Sequence, residues 1–264
     1  MDLGIQDKVV MVAASSKGLG FGIARQAALE GAKVSMASRS EKNIVQAAER
    51  IHQEVPEATV FPSVADISDP ESIDHWVLST QRELGSIYGL VVNGGGPPPG
   101  RFDDLDDETW RSGYENTLMS AVRLIREVLP EMRKNKSGSI LTITSSSVKE
   151  PIDNLLLSNV YRSGVTSLVK SLSFQLASDH IRINNLVPGL FDTDRLKELD
   201  LKNSREWRID LENVRKFNFE KIPMGRYGEP AEFGKAAMFL LSPAASYVTG
   251  ETFVIDGGKM RTVW

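Results

Sequence analysis

Short runs of apolar and β-branched residues alternate with longer amphipathic segments along almost the whole chain, and this alternation restricts the fold more than any other feature. The short runs are Val9 to Val12, Lys33 to Ala37, Thr59 to Phe61, Gly89 to Val92, Ile140 to Thr144, Arg182 to Val187 and Thr252 to Ile255. Between them lie Phe21 to Glu30, Lys42 to Gln53, Glu71 to Leu84, Trp110 to Arg133, Asn159 to Ala177 and Ala231 to Leu241, where apolar residues recur at helical spacing. Strands separated by helices pair in parallel, so the pattern predicts an α/β fold: a doubly wound parallel sheet of about seven strands with helices on both faces. Gly31 supplies a helix stop and Pro230 a tolerated first-turn proline. No linker divides residues 1 to 264, and one domain is expected. Residues 191 to 228 interrupt the alternation with many charges, among them Asp192, Asp194 and Arg195. Two readings of the 190–225 region stay open, a substrate lid and a solvated helical excursion.

Charge and composition exclude several classes of function. Lys and Arg number 31 against 35 Asp and Glu, a net charge of −4, and no basic block offers the phosphate contacts of a nucleic-acid binder. The absence of cysteine removes disulfides, thiolate nucleophiles and Cys-based metal sites. His52, His75 and His180 are widely spaced, so no metal site is expected. No segment approaches the roughly 18 apolar residues of a membrane span. The expectation is a cytoplasmic protein whose partner is a small molecule, not nucleic acid or membrane.

After the first strand, Ala13-Ala14-Ser15-Ser16-Lys17-Gly18-Leu19-Gly20 leads into a helix. A Gly-rich turn there presents backbone N–H groups and a positive helix end to a pyrophosphate. The segment resembles the Thr-Gly-x-x-x-Gly-x-Gly turn of the short-chain dehydrogenase/reductase family, of the 3-oxoacyl-carrier-protein reductase kind, with Gly18 and Gly20 as its second and third glycines. Asp66-Ile67 resembles the family's pair against adenine, and Val92-Asn93-Gly94-Gly95 its Asn-Asn-Ala-Gly turn. Pro188-Gly189-Leu190-Phe191-Asp192-Thr193 matches its Pro-Gly-x-x-x-Thr segment. Asn184 and Asp256-Gly257-Gly258 match as well, so the resemblance runs from about residue 5 to residue 258. It implies a Rossmann-like dinucleotide site formed by Ser15, Ser16, Lys17, Gly18, Leu19, Gly20, Ser38, Arg39, Asp66, Ile67, Asn93, Gly94, Arg162, Pro188, Gly189, Leu190 and Thr193. Relatives that use NAD place an acid at the end of the second strand, whereas here the strand ends in Ser38-Arg39. Arg39 and Lys17 are suited to a dianionic 2′-phosphate, so NADP(H) is preferred over NAD(H).

The catalytic positions depart from the resemblance. Members of the family carry Tyr-x-x-x-Lys, a Ser 13 residues before the Tyr, and an Asn that anchors a relay water. Tyr161 is followed four residues later by Val165, not by lysine. Anchored instead on Ser145 at the end of Ile140 to Thr144, the register puts Ser158 and Arg162 at the Tyr and Lys positions and Thr117, beside Asn116, at the Asn position. A tyrosine phenol with pKa about 10 can be drawn toward neutrality by a cation, but an aliphatic hydroxyl is a far weaker acid. Arg162 can hold ribose hydroxyls and an oxyanion without titrating near neutrality.

The catalytic candidates are therefore Ser145, Ser158, Arg162 and Tyr161, the last either edging the site or packing away from it. Three functions remain open. One is an NADP(H)-dependent oxidoreductase of a small carbonyl or alcohol with a non-standard site, the second is a dinucleotide-binding sensor or structural subunit without turnover, and the third is non-redox chemistry on a bound ligand. The resemblance also implies a homotetramer, or failing that a dimer, with Leu118, Val122, Leu168 and Leu172 available for helix faces.

Overall fold

The computed structural model describes residues 2–263. In chain order its main elements are β1 (Val9–Val12), α1 (Gly18–Leu29), β2 (Lys33–Ser38), α2 (Glu41–Glu54), β3 (Val60–Val64), α3 (Pro70–Leu84) and β4 (Ile87–Val92). There follow α4 (Asp107–Tyr114), α5 (Ser120–Asn135), β5 (Gly138–Ile143), α6 (Leu156–Leu176), β6 (Ile181–Pro188), α7 (Asp194–Trp207), α8 (Leu211–Glu220), α9 (Pro230–Leu241) and β7 (Thr252–Ile255). The strands form one sheet in the order β3-β2-β1-β4-β5-β6-β7, every neighbouring pair parallel. The chain winds outward from β1 to β3, then returns to β4 beside β1. That reversal opens a crevice beyond the carboxyl ends of β1 and β4, where α/β sheets bind ligands.

Alternate residues of each strand face opposite layers. Val10 and Val12 join α1, α2 and α9 through Ile23, Ile51 and Phe233, while Val9 and Met11 join α3, α5 and α6 through Trp76, Leu124 and Val169. Burial on both faces explains why the strands read as continuous apolar runs.

Three boundaries differ informatively from the sequence reading. β3 continues past Phe61 through Pro62 to Val64, which is possible because β3 is an edge strand and the missing proline N–H breaks no central ladder. The helix expected over Trp110 to Arg133 is interrupted by a π-helical turn, Glu115–Met119. There Asn116 Nδ2 donates to the Ser112 carbonyl (2.8 Å) and Ser120 Oγ donates to the Asn116 carbonyl (2.9 Å), local bonds that compete with the regular ladder. Residues 191–228 contain two helices, α7 and α8, around a small cluster of Leu196, Ile222 and Tyr227. Within that excursion the buried Asp200 accepts from Tyr227 Oη (2.9 Å) and Asn218 Nδ2 (3.1 Å). Among the described residues no helix is long and apolar enough to cross a membrane.

Candidate active site

The crevice is a cleft of about 640 Å³ bounded by the β1–α1 turn, the end of β2, the Gly94–Pro98 segment after β4, and the start of α7. The turn below it is tight. Ala14 takes the left-handed region (φ 47) normally left to glycine. Gly20 packs so closely that a Cβ there would stand 2.4 Å from the Ala14 carbonyl and 2.8 Å from Asn93 Nδ2. Asn93 Nδ2 in turn donates to the carbonyls of Ala13 and Ala14, each at 3.2 Å, bracing the turn from β4. Glycine at 20 is therefore a packing requirement that lets α1 begin at Gly18, its N-terminal N–H groups beside the cleft.

Of the sequence-derived cofactor residues, Ser16, Lys17, Gly18, Leu19, Gly20, Ser38, Arg39, Asp66, Ile67, Asn93, Gly94 and Thr193 line this cleft. Ser15 does not. It is fully buried, its Oγ donating to the Val12 carbonyl (2.9 Å) and accepting from the Ala37 N–H (3.1 Å), so it ties β1 to β2. Pro188, Gly189 and Leu190 also stand outside the cleft lining. Gly189 is pressed against Asp256, 2.5 Å from a built Cβ, and Leu190 packs on the small cluster beneath α7 and α8.

Lys17 and Arg39 are exposed at one end of the cleft. Asp66 lies on the same wall, where partial burial raises its pKa but the Ser68 N–H (2.9 Å) and hydroxyl (2.7 Å), with the Arg39 charge, leave it below the usual carboxylate range. Ser40 and Asn43 also line this end and were missed from sequence. Ser40 caps α2, accepting from the Asn43 N–H at 3.3 Å, and that N-cap pattern was the available signal.

Arg162, also expected at the dinucleotide site, does not line this cleft but a smaller adjoining cavity, and its Nη1 donates to the carbonyls of Ile143 (2.8 Å) and Thr144 (3.3 Å) at the close of β5. The residue keeps some accessible surface while its charge is enclosed by protein. Burial, then the neighbouring Arg195 charge, pulls its pKa down to about 10, still protonated near neutrality. Ser145 caps the turn Ser146–Val148 by accepting from the Ser147 N–H (3.2 Å), and its own O–H can still donate. Ser158, one helical turn before Arg162, is buried and shares a 3.1 Å hydrogen bond with Ser147 Oγ. Ser158 and Arg162 thus occupy one helix face but hold different partners. Tyr161 is turned elsewhere, its hydroxyl donating to the Trp110 carbonyl (3.0 Å) and its ring packed against Trp110 and Tyr114. Burial raises its pKa, with Tyr114 adding to the effect.

A second small cavity, about 20 Å³, lies between the π-helical turn and Arg162. Thr117 Oγ1 on its wall is buried without a hydrogen-bond partner among the described residues. Arg195, from the first turn of α7, also reaches the main cleft and donates to the Gly95 carbonyl. Sequence reasoning noted this arginine without giving it a role, because its neighbours across the cleft come from a segment 100 residues earlier.

A Rossmann-type sheet with a pyrophosphate-compatible turn at its switch point defines a dinucleotide-binding α/β protein. Residues 13–259 match the family profile described as "Enoyl-(Acyl carrier protein) reductase". The chain is 32% identical to dehydrogenase/reductase SDR family member 4 of Oryctolagus cuniculus over 255 residues, covering 96% of this chain and 94% of the relative. Its fold is similar to L-sorbose reductase from Gluconobacter frateurii complexed with NADPH and L-sorbose, with TM-score 0.94, 28% identity and complete coverage of both chains. It is also similar to an NADPH-bound short-chain oxidoreductase from Pseudomonas aeruginosa PAO1 described as containing an atypical catalytic center, with TM-score 0.89, 26% identity, and 97% and 98% of the two chains covered. The chain belongs to the short-chain dehydrogenase/reductase family and is an oxidoreductase of that type.

Proposed function

We propose that this chain is an NADPH-dependent reductase of a small carbonyl compound whose catalytic site lacks the family's Tyr-Lys pair. The observation that carries the cofactor choice is the cleft's outer end, where Lys17 and Arg39 stand exposed and the end of β2 carries no acid. The cleft fits a dinucleotide. The α1 N-terminus and the Gly18-Leu19 backbone suit a pyrophosphate, Lys17 and Arg39 suit a 2′-phosphate, and the close approach at Gly20 lets the turn lie near the ligand. NADP(H) is also the cofactor named for the two solved relatives.

When bound, the cofactor supplies hydride at its nicotinamide ring. In this reading Arg162 holds ribose hydroxyls and, with the free O–H of Ser145, stabilises negative charge developing on the substrate oxygen. Arg162 remains a cation throughout, because its pKa of about 10 keeps its proton in place near neutrality. Ser158 is too weak an acid to replace a phenol and is already paired with Ser147. The proton comes from solvent or from a group outside the family's usual set. Thr117, which the resemblance aligns with the family Asn, lies in the π-helical turn and lines the same small cavity as Arg162.

One substitution favours a second reading. With Ser158 where the family has Tyr, the chain can bind NADP(H) without turnover, as a sensor or structural subunit. Titration with NADPH and NADH beside a carbonyl screen separates the two readings. Preferential NADPH binding with NADPH oxidation supports the reductase, binding with no oxidation supports the second, and no NADPH preference overturns the cofactor assignment. We further propose a cytoplasmic homotetramer, or a dimer, and light scattering that finds a monomer at micromolar concentration would contradict it.

A further inference from the structure

Two arginines from separate elements converge on Gly96, which borders both the main cleft and the small cavity. A Cβ built on Gly96 would lie 3.0 Å from Arg162 Nη2 and 3.5 Å from Arg195 Nη1. Arg162 descends from α6, buried against the end of β5, while Arg195 projects from α7 across the cleft to the Gly95 carbonyl. Gly96 has φ +79, and any side chain there would crowd Arg162 Nη2, so both guanidiniums approach this turn only because it carries none.

Among the described residues, no carboxylate pairs with either arginine. The only acceptors they hold are the carbonyls of Ile143, Thr144 and Gly95 among the described residues. Asp192 is within reach of Lys197 (3.8 Å) and Arg215 (3.7 Å) instead. Asp194 lines the same cleft but makes no ion pair with either arginine among the described residues. Each guanidinium has five N–H donors, and few are taken by these carbonyls. Two cations brought together, one of them buried, are unfavourable without an anion, and their planar forks suit the two oxygens of a carboxylate.

Resting on the reductase reading above, we propose that Arg162 and Arg195 form a carboxylate subsite, and that the substrate class is an oxo acid rather than a neutral ketone. Negatively charged oxygens could also come from the cofactor's own pyrophosphate, and the test separates the two sources.

The experiment is calorimetric titration of the NADP⁺-saturated protein with pyruvate and 4-oxopentanoate, each beside its neutral methyl ester. The acids are expected to bind at least about tenfold more tightly than the esters, the effect of one charge-assisted pair. Arg195→Ala is expected to weaken acid binding about ten- to hundredfold and to erase the preference, while NADP⁺ affinity changes less than about threefold. Arg195 is exposed, so the variant keeps the fold, and Arg195→Lys should retain part of the preference as a point charge without the fork. Equal binding of acids and esters by the wild type overturns the subsite. So does an Arg195→Ala variant that loses NADP⁺ affinity tenfold while keeping its acid preference, which would assign the arginines to the pyrophosphate. The same titrations without cofactor keep the two readings apart. Failure of NADP⁺ to bind contradicts the reductase reading, whereas an Arg195-dependent acid preference without cofactor still supports the subsite, and its absence overturns it.

Discussion

Replacing Arg162 by methionine separates a ligand-holding arginine from a structural strut. The side chain is held at a pKa of about 10 against an ordinary 12.5, so its charged form carries a penalty on the order of 3 kcal/mol in the folded state. Methionine removes that penalty and retains much of the apolar stem. Against this, the Ile143 and Thr144 carbonyls lose a donor, at roughly 1–3 kcal/mol for each well-made bond. The Thr144 bond is the longer, 3.3 Å against 2.8 Å, and both carbonyls belong to residues lining the small cavity, so the loss falls mainly on Ile143. The two effects nearly offset, and Arg162→Met should change unfolding free energy by less than about 2 kcal/mol, against the roughly 3–5 kcal/mol expected when one member of a buried ion pair is removed. NADPH affinity should fall at least about tenfold. Urea unfolding of the cofactor-free protein and a fluorescence titration measure the two quantities. A stability loss above about 3 kcal/mol with unchanged NADPH affinity would refute the argument.

Other substitutions test other parts of the cleft. Lys17→Ala with Arg39→Asp should weaken NADPH about a hundredfold and NADH less than about threefold in direct titrations, because both removed cations are those proposed to meet the 2′-phosphate. Equal losses would show the assignment wrong. Gly20→Ala forces a Cβ to within 2.4 Å of the Ala14 carbonyl, so thermal unfolding should register at least about 2 kcal/mol of lost stability together with lost NADPH binding. Beneath α7 and α8, burial holds the Asp200 carboxyl above its ordinary range despite hydrogen bonds from Tyr227 and Asn218. The folded form therefore takes up a proton first, and this contribution to stability grows as pH falls through the raised pKa and diminishes as pH rises through it. Hydrogen exchange in α7 and α8 should follow that trend and lose it in Asp200→Asn, and the opposite slope would contradict it.

The sheet was legible because strands buried on both faces, separated by amphipathic helices, have few other ways to bury their apolar residues. Edge position is not legible in sequence, and so the run read as Thr59 to Phe61 stops short of Pro62, which lies inside β3. The π-helical turn was hidden because Asn116 and Ser120 fit a regular helical pattern until their side chains bond to backbone. At the site, motif spacing located the turn after β1 and the Ser38-Arg39 end of β2. It could not distinguish Ser15, used entirely between strands, from Ser16, which faces the cleft. Ser158 and Arg162 were correctly placed on one helix face, but adjacency along a helix does not specify their partners, Ser147 for one and the β5 carbonyls for the other. Arg195 could acquire meaning only once the tertiary fold set it beside Gly95 and Gly96.

In the reductase reading, this cleft delivers hydride from NADPH to a carbonyl carbon without the family's Tyr-Lys pair. NADPH deuterated at nicotinamide C4, prepared separately on each face, should be incubated with a panel of oxo acids and neutral ketones and the alcohols analysed by mass spectrometry. Deuterium is expected on the carbinol carbon from one face only, with the oxo acids converted fastest. Tight NADPH binding with no deuterium in any product, across the panel and from pH 5 to 9, would contradict it and leave a dinucleotide-binding protein without turnover.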